Sequence, residues 1–340
     1  MKSNEPSWLQ DFRKKNWELF ASYSFPKSYE WKHVSLSKLS FDDIKPSCNM
    51  IMKTNNCLES RDLSMIKNYL ILPEDKFEAL NNAVFTPKII FAKSNATVDI
   101  FFKRKNFSKI FIFCDDTAKI NVKINSSDFS IIQLYLYISG EAKIDIFDNS
   151  SENINLITEC FVSLNENASL KCDFSLFGTS LNRFKIEAKL LRNAKSEING
   201  VFFGNREQQF AISTILSHLD QKSESNVKVK GVLREKSSST VYGLVDVSKS
   251  AQNVKSRLMN RFLLLDEAKA NSIPSLKIDA NDVDVKHSVI VQDLDEEQIF
   301  YLMSRGLSRA EANTLIVNSF LNDAKINSFK NQKFIEAKMK

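Results

Sequence analysis

Glycine is scarce. The chain has seven in 340 residues: Gly140, Gly178, Gly200, Gly204, Gly231, Gly243 and Gly306. No two are spaced as G-x-x-x-x-G-K or G-x-G-x-x-G, the loops whose backbone N–H groups cradle phosphate, which argues against nucleotide binding by those routes. The shortage also argues against a hairpin-rich sheet, because tight hairpin turns draw on glycine. The five cysteines, Cys48, Cys57, Cys114, Cys160 and Cys172, form no C-x-x-C, and none lies beyond Cys172. A self-contained zinc or iron–sulfur site of familiar spacing is therefore not expected, and free thiols are favoured over a disulfide framework. The three histidines, His33, His218 and His287, stand apart, and neither H-E-x-x-H nor G-x-S-x-G occurs. No apolar run is long enough to span a bilayer, and the charged opening "MKSNEPSWLQDFRKKNWELF" has no signal-peptide core, so a cytoplasmic protein is expected. The net charge of +6 is spread over 47 basic and 41 acidic residues. With no basic block, RNP-like motif or C2H2 spacing, a nucleic-acid partner is not expected.

What is present divides the chain into three regions. Residues 1–90 read as an N-terminal helical region. "SWLQDFRKKNWELF" carries apolar residues near helical spacing ahead of Pro26, and "PEDKFEALNNAVF" (73–85) reads as a second helix. All three tryptophans, Trp8, Trp17 and Trp31, fall here and are expected in the core. Residues 91–292 lose helical periodicity. Alternating runs such as "KINVKI", "QLYLYI", "KIDIF" and "NVKVKGV" put one set of side chains inward and the other outward. Polar corners containing Ala118, Ala142, Ala168 and Ala194 recur at spacings of 24, 26 and 26 residues. Strand after corner at a fixed period is the pattern of stacked coils. The fold expected is mainly β: a right-handed parallel β-helix, or solenoid, with helical regions on either side. A β-sandwich also spaces strands regularly, but the repeat and the lack of glycine turns favour the solenoid.

Residues 293–340 read as a C-terminal helical domain. Asp295 with Gln298, and Ser308 with Glu311, have capping-box spacing, and Gly306 supplies a left-handed helix end. Ala312, Leu315, Ile316, Ser319 and Phe320 give the second helix its apolar stripe. The pair is expected to dock on the end of the solenoid and cap it.

"KGVLREKSSSTVYGLVDVSKSAQNVKSRLMNRFLLLDEAKANSIPSLKIDANDVDVKH" (230–287) and "LDEEQIFYLMSRGLSRAEANTLIVNSFL" (294–321) resemble the closing coils and C-terminal helices of the SufB/SufD family, the scaffold proteins of the SUF iron–sulfur cluster assembly system. "WLQDFRKKNWELF" with "EWKHVSLSKL" (30–39) is similar to the SufD-type N-terminus, whereas the central coils match weakly. The SufB type carries a sulfur-accepting cysteine near the position of Asn260, and glutamates on both sides of its junction histidine. Here there is no such cysteine, and Lys286 and Ser288 flank His287, so the resemblance points to the SufD type. A cysteine frequent in SufD two residues before that histidine is Val285 here. The resemblance implies a non-catalytic scaffold subunit that pairs through its last coils with a SufB-like paralogue. It implies that His287 faces that partner as a candidate ligand for iron or a transient iron–sulfur cluster. No cofactor is expected on the isolated chain. A SufC-like ABC ATPase is expected to dock on the C-terminal helices, around Phe300, Tyr301, Arg305 and Gly306. The alternatives are a SufB-type scaffold in which Cys160 or Cys172 accepts sulfur, or an unrelated carbohydrate-active solenoid whose acids would be sought in "DANDVD" (279–284). For His287 the competing reading is a hydrogen-bonded strand-end residue.

Overall fold

The computed structural model describes residues 5–24, 48–70, 73, 75–322 and 339. Trp31, His33 and the 30–39 segment lie outside them. The elements are α1 (Ser7–Ser22), β1 (Cys48–Ser60), a 3-10 turn (Leu63–Tyr69), α2 (Lys76–Val84) and β2 (Thr86–Cys114). Strands β3 (Thr117–Asn125), β4 (Ser130–Ile138), β5 (Glu141–Asp148), β6 (Asn155–Leu164), β7 (Ser169–Leu176) and β8 (Leu181–Leu190) follow. Then come β9 (Lys195–Gly204), β10 (Gln209–His218), β11 (Glu224–Leu233), β12 (Ser238–Val247), β13 (Val254–Leu264), β14 (Lys269–Ile278) and β15 (Val283–Asp293). Helices α3 (Glu296–Ser304) and α4 (Arg309–Asn322) follow the last strand.

The strands wind into a parallel β-solenoid of about seven turns. Odd-numbered strands β3 to β15 form one ladder and even-numbered strands β4 to β14 the other. The long strand β2 starts both: Ala96–Lys103 pairs with β3 and Phe107–Cys114 with β4, with a corner at Arg104 (φ +59) between them. Pairing is in register from coil to coil, so identical faces stack. One inward column runs Val98, Ile120, Ile144, Cys172, Ile198, Val227, Leu258, all buried. Full burial of each aliphatic side chain contributes about 1.5–3 kcal/mol. Where a phenylalanine points inward, the next coil yields space. A Cβ on Gly200 would fall 2.0 Å from Phe174 Cζ, and one on Gly231 2.2 Å from Phe202 Cζ.

The scarcity of glycine has a structural counterpart. The left-handed corner positions are held by Asn167, Asn193, Lys222 and Asn253 on one edge, and by Arg206, Glu235 and Asp266 on another. On the first edge all four N–H groups are bonded to carbonyls of the next coil, as in Asn167 N to Arg192 O (2.9 Å) and Lys222 N to Gln252 O (2.8 Å). Asparagine tolerates this conformation best, and the stacked neighbours hold the others in it. The alanine period is only partly a strand register. Ala96, Ala118 and Ala142 pair directly, but Ala142 pairs with Leu170, not Ala168. Ala168 and Ala194 close corner turns, their N–H groups bonded to Asn165 O and Leu191 O. The coil lengthens along the solenoid, from 24 residues between Ala118 and Ala142 to 31 between Glu224 and Lys255.

Residues 1–90 are not only helical. β1 lies antiparallel along β2 and covers the first coil. Helices α1 and α2 pack on the outer side of the even ladder, where Phe77, Leu80, Ala83 and Val84 meet Phe107, Ile131 and Ile157. Arg13 ties α1 to the end of α2, donating to Ala83 O (3.2 Å) and Phe85 O (2.8 Å). The buried α1 positions are Leu9, Arg13 and Asn16. Contrary to the expectation of core tryptophans, Trp8 is half-buried and Trp17 exposed, because α1 presents a polar, amide-bonding face to α2.

The C-terminal helices also differ from expectation in place and phase. They lie on the side of the solenoid, not over its end. Val317, Phe320 and Leu321 of α4 pack on Val201, Phe203, Val232 and Leu263, outward residues of β9, β11 and β13. Lys230 fixes the contact, its Nζ donating to Phe320 O at 2.9 Å. Val317 and Leu321 are buried where Leu315 and Ser319 were expected, and Leu315 is exposed. The caps are as read, except that among the described residues the Gln298 side chain makes no return bond to complete its box. Asp295 accepts from Glu297 N (2.9 Å), Glu311 accepts from Ser308 N (2.8 Å), and Gly306 has φ +97.

Candidate functional site

With the helices on its flank, the far end of the solenoid is uncovered among the described residues. β14 pairs only with β12, and β15 only with β13. β15 is the first half of a coil that has no second strand among the described residues, and α3 begins at Glu296. Side chains that elsewhere would be core are therefore in solvent: Val289, Val291, Leu276 and Ile278 continue inward columns and are exposed. An edge of this length with unpaired backbone groups and open apolar side chains is a template for pairing with another chain. On β14, Pro274 removes one backbone donor, which a sheet tolerates only at an edge.

His287 belongs to this end. Its register partner is Leu258, so it tops the column that begins at Val98. An imidazole replaces the aliphatic residue just where the column meets water, and the side chain is exposed, not sealed in the core. Beside it on the strand, Lys286 pairs with Asp284 (3.4 Å), which also takes Arg257 (2.5 Å). Arg257 and Lys286 together hold the Asp284 carboxyl below its usual range. One column over and one coil below, Asn260 is fully buried. Its Nδ2 donates to Ser272 Oγ at 3.0 Å, which ties β13 to β14, and its Oδ1 has no protein partner.

The other sequence-named groups lie elsewhere. Phe300, Tyr301, Arg305 and Gly306 are on the exposed face of α3 and the turn after it. Phe300 is 75% and Tyr301 57% exposed, and the Arg305 guanidinium sits 5.1 Å from the Tyr301 ring. His218 is buried, with Nδ1 2.7 Å from Ser223 Oγ and Nε2 2.9 Å from Ser225 Oγ, a structural role. Cys160 and Cys172 are buried inward residues, and burial pushes both thiols far above their ordinary range. In "DANDVD", Asp279 and Asp282 are exposed corner residues and Asp284 is ion-paired. Among the described residues, no three His, Cys, Asp or Glu side chains converge as a metal-binding group, and no helix is long and apolar enough to cross a membrane. The sequence had not singled out the exposed apolar residues of β14 and β15, because alternation marks a strand without saying whether another coil follows it.

Over residues 83–320 the chain matches the family model described as "SUF system FeS cluster assembly, SufBD core domain". It is similar to "Iron-sulfur cluster assembly SufBD family protein" sequences of Staphylococcus aureus strains USA300 and NCTC 8325, 23% identical over 402 residues, covering 94% of this chain and 85% of theirs. The protein of the same description from Staphylococcus haemolyticus is 23% identical over 401 residues, covering 93% of this chain and 85% of the relative.

Proposed function

The chain belongs to the SufBD family of iron–sulfur cluster assembly proteins, and from that premise we propose that it is a non-catalytic scaffold subunit of the SufD type. The observation that carries this reading is the uncovered β14/β15 edge with His287 at the head of an inward column. A SufB-like paralogue adds its own closing strands to that edge, and the exposed apolar side chains of both chains are buried together. His287 then faces the partner across the seam. Neutral imidazole is a good borderline ligand for iron, and a site completed only by the second chain lets a cluster form and leave as the seam changes. Iron and sulfide are cargo here, and the isolated chain holds neither.

The SufB-type alternative fares worse on chemistry. A sulfur acceptor must be a thiolate that a donor can reach. Asn260 offers an amide, and Cys160 and Cys172 are buried, protonated thiols. A SufC-like ATPase docks, in this reading, on the exposed Phe300, Tyr301 and Arg305 surface, which α4 leaves free. The protein works in the cytoplasm with these partners.

Affinity purification of tagged chain from its native host tests the assembly. A SufB-like and a SufC-like chain are expected to co-purify, and recovery of neither would refute the reading. His287→Ala is expected to leave the complex assembled while cluster delivery falls about tenfold or more in a complementation assay. Intact delivery would refute the ligand role.

A further inference from the structure

On the outer face of the odd ladder two carboxylates stand one above the other in adjacent coils. Asp145 of β5 and Asp173 of β7 are register partners. We propose that they hold a hard divalent cation, Mg²⁺ or Ca²⁺, between them.

The column runs Asp99, Asn121, Asp145, Asp173, Asn199. It points outward because the sequence neighbours of its members, such as Ile144 and Ile146, fill the core. Neighbouring strands lie about 4.8 Å apart, and like charges set directly opposite each other destabilise a sheet. Asp173 is nonetheless 0% exposed. Its Oδ1 accepts from Asn199 Nδ2 at 3.0 Å, but its Oδ2 is buried with no partner. Asp145 Oδ1 is likewise buried with no partner. Burying carboxylate oxygens without a donor is costly, so the pair calls for a positive charge.

The protein does not supply that charge directly. Asn121 Nδ2 donates away from the pair, to Asp99 Oδ1 at 2.6 Å, and Asn199 Nδ2 is shared with Glu197 Oε1 at 3.1 Å. Four lysines stand on the flanking columns. Lys171 pairs with Glu197 (3.9 Å), and Lys123 Nζ lies 5.5 Å from the Phe101 ring. Among the described residues Lys119 and Lys143 form no ion pair with either aspartate. Burial, and then the charge of Asp173, raise the Asp145 carboxyl above its ordinary range, against the opposing pull of Lys143, Lys119 and Lys123. Carboxylate oxygens select Mg²⁺, Ca²⁺ and Mn²⁺ over softer metals. Two carboxylates, Asn121 Oδ1 and water would form the shell. A short set of protein ligands completed by water is the Mg²⁺ pattern, whereas Ca²⁺ gathers more oxygens.

Mn²⁺ is the probe, because its free-ion electron paramagnetic resonance signal is lost on binding. The full chain, stripped with chelator and titrated at about pH 7.5, is expected to take up Mn²⁺ at one site and to gain in denaturant midpoint. Excess Mg²⁺ or Ca²⁺ is expected to displace it, and the ion effective at lower concentration is the better fit. Asp173→Asn and Asp145→Asn keep the side-chain shape. Each is expected to weaken uptake about tenfold or more and to abolish the midpoint gain, with an unchanged circular dichroism spectrum. Asp279→Asn, in the exposed acidic corner, is expected to bind as wild type does. No uptake, uptake that survives both substitutions, loss of uptake in Asp279→Asn, or displacement by neither ion would overturn the proposal. So would a wild-type midpoint that falls with rising pH and ignores Mn²⁺, the behaviour of two carboxyls sharing a proton.

Discussion

Both ring nitrogens of His218 are held by serine hydroxyls inside the coil, and desolvation lowers its pKa to about 4. The folded chain therefore refuses a proton that the unfolded chain accepts once the pH falls below about 6.5. Stability from this residue is complete above that pH and is lost as the pH falls toward 4, by about 3 kcal/mol in all. Asp75 acts in the opposite sense. It caps α2, and burial together with the charge of Glu159 raises its carboxyl to about 6. Its contribution weakens as the pH rises through that range and masks the histidine in the wild-type profile. The difference between wild type and His218→Asn isolates the term. Chemical denaturation at pH 7 and at pH 4 is expected to show the stability gap shrinking by about 3 kcal/mol. A gap that does not change with pH would mean that His218 is solvated. His287, exposed at the edge, behaves otherwise: His287→Ala is expected to change stability by less than about 0.5 kcal/mol, which separates its proposed role from folding.

At the scale of the strand, in-register stacking makes each inward position answer to the coil beside it. Gly231 exists to admit the Phe202 ring. Gly231→Val is expected to destabilise the chain by about 1–3 kcal/mol through overpacking, measured by denaturant midpoint, and combining it with Phe202→Leu should recover part of the loss. Strand β15 is under no such constraint, because no described strand lies beyond it. Val291→Lys is expected to leave the isolated chain's midpoint within about 0.5 kcal/mol of wild type. The same change should weaken association with the proposed paralogous subunit by tenfold or more, since a charge on an edge strand opposes pairing. Equal affinity in the two proteins would exclude β15 from the seam.

At the scale of the molecule, the parallel solenoid was legible because strand alternation and a corner period survive in the residues themselves. The exact period was not. From the third coil onward the corner takes an extra turn around Asn167, Asn193, Lys222 and Asn253, so alanines that share a spacing sit in different places. The helix caps of α3 and α4 were readable from Asp295, Ser308, Glu311 and Gly306, because capping is local. The docking of α4 was not, because its buried face is chosen by Val201, Phe203, Val232 and Leu263, far away in the chain.

Hydrogen exchange of the amides in residues 270–293, measured in the isolated chain and in the proposed complex with a SufB-like paralogue, tests the central claim most directly. Strong added protection along β14 and β15, with little change in β4 to β10, is the result expected of strands that pair across the seam. Unchanged exchange at β14 and β15 in a formed complex would contradict the account.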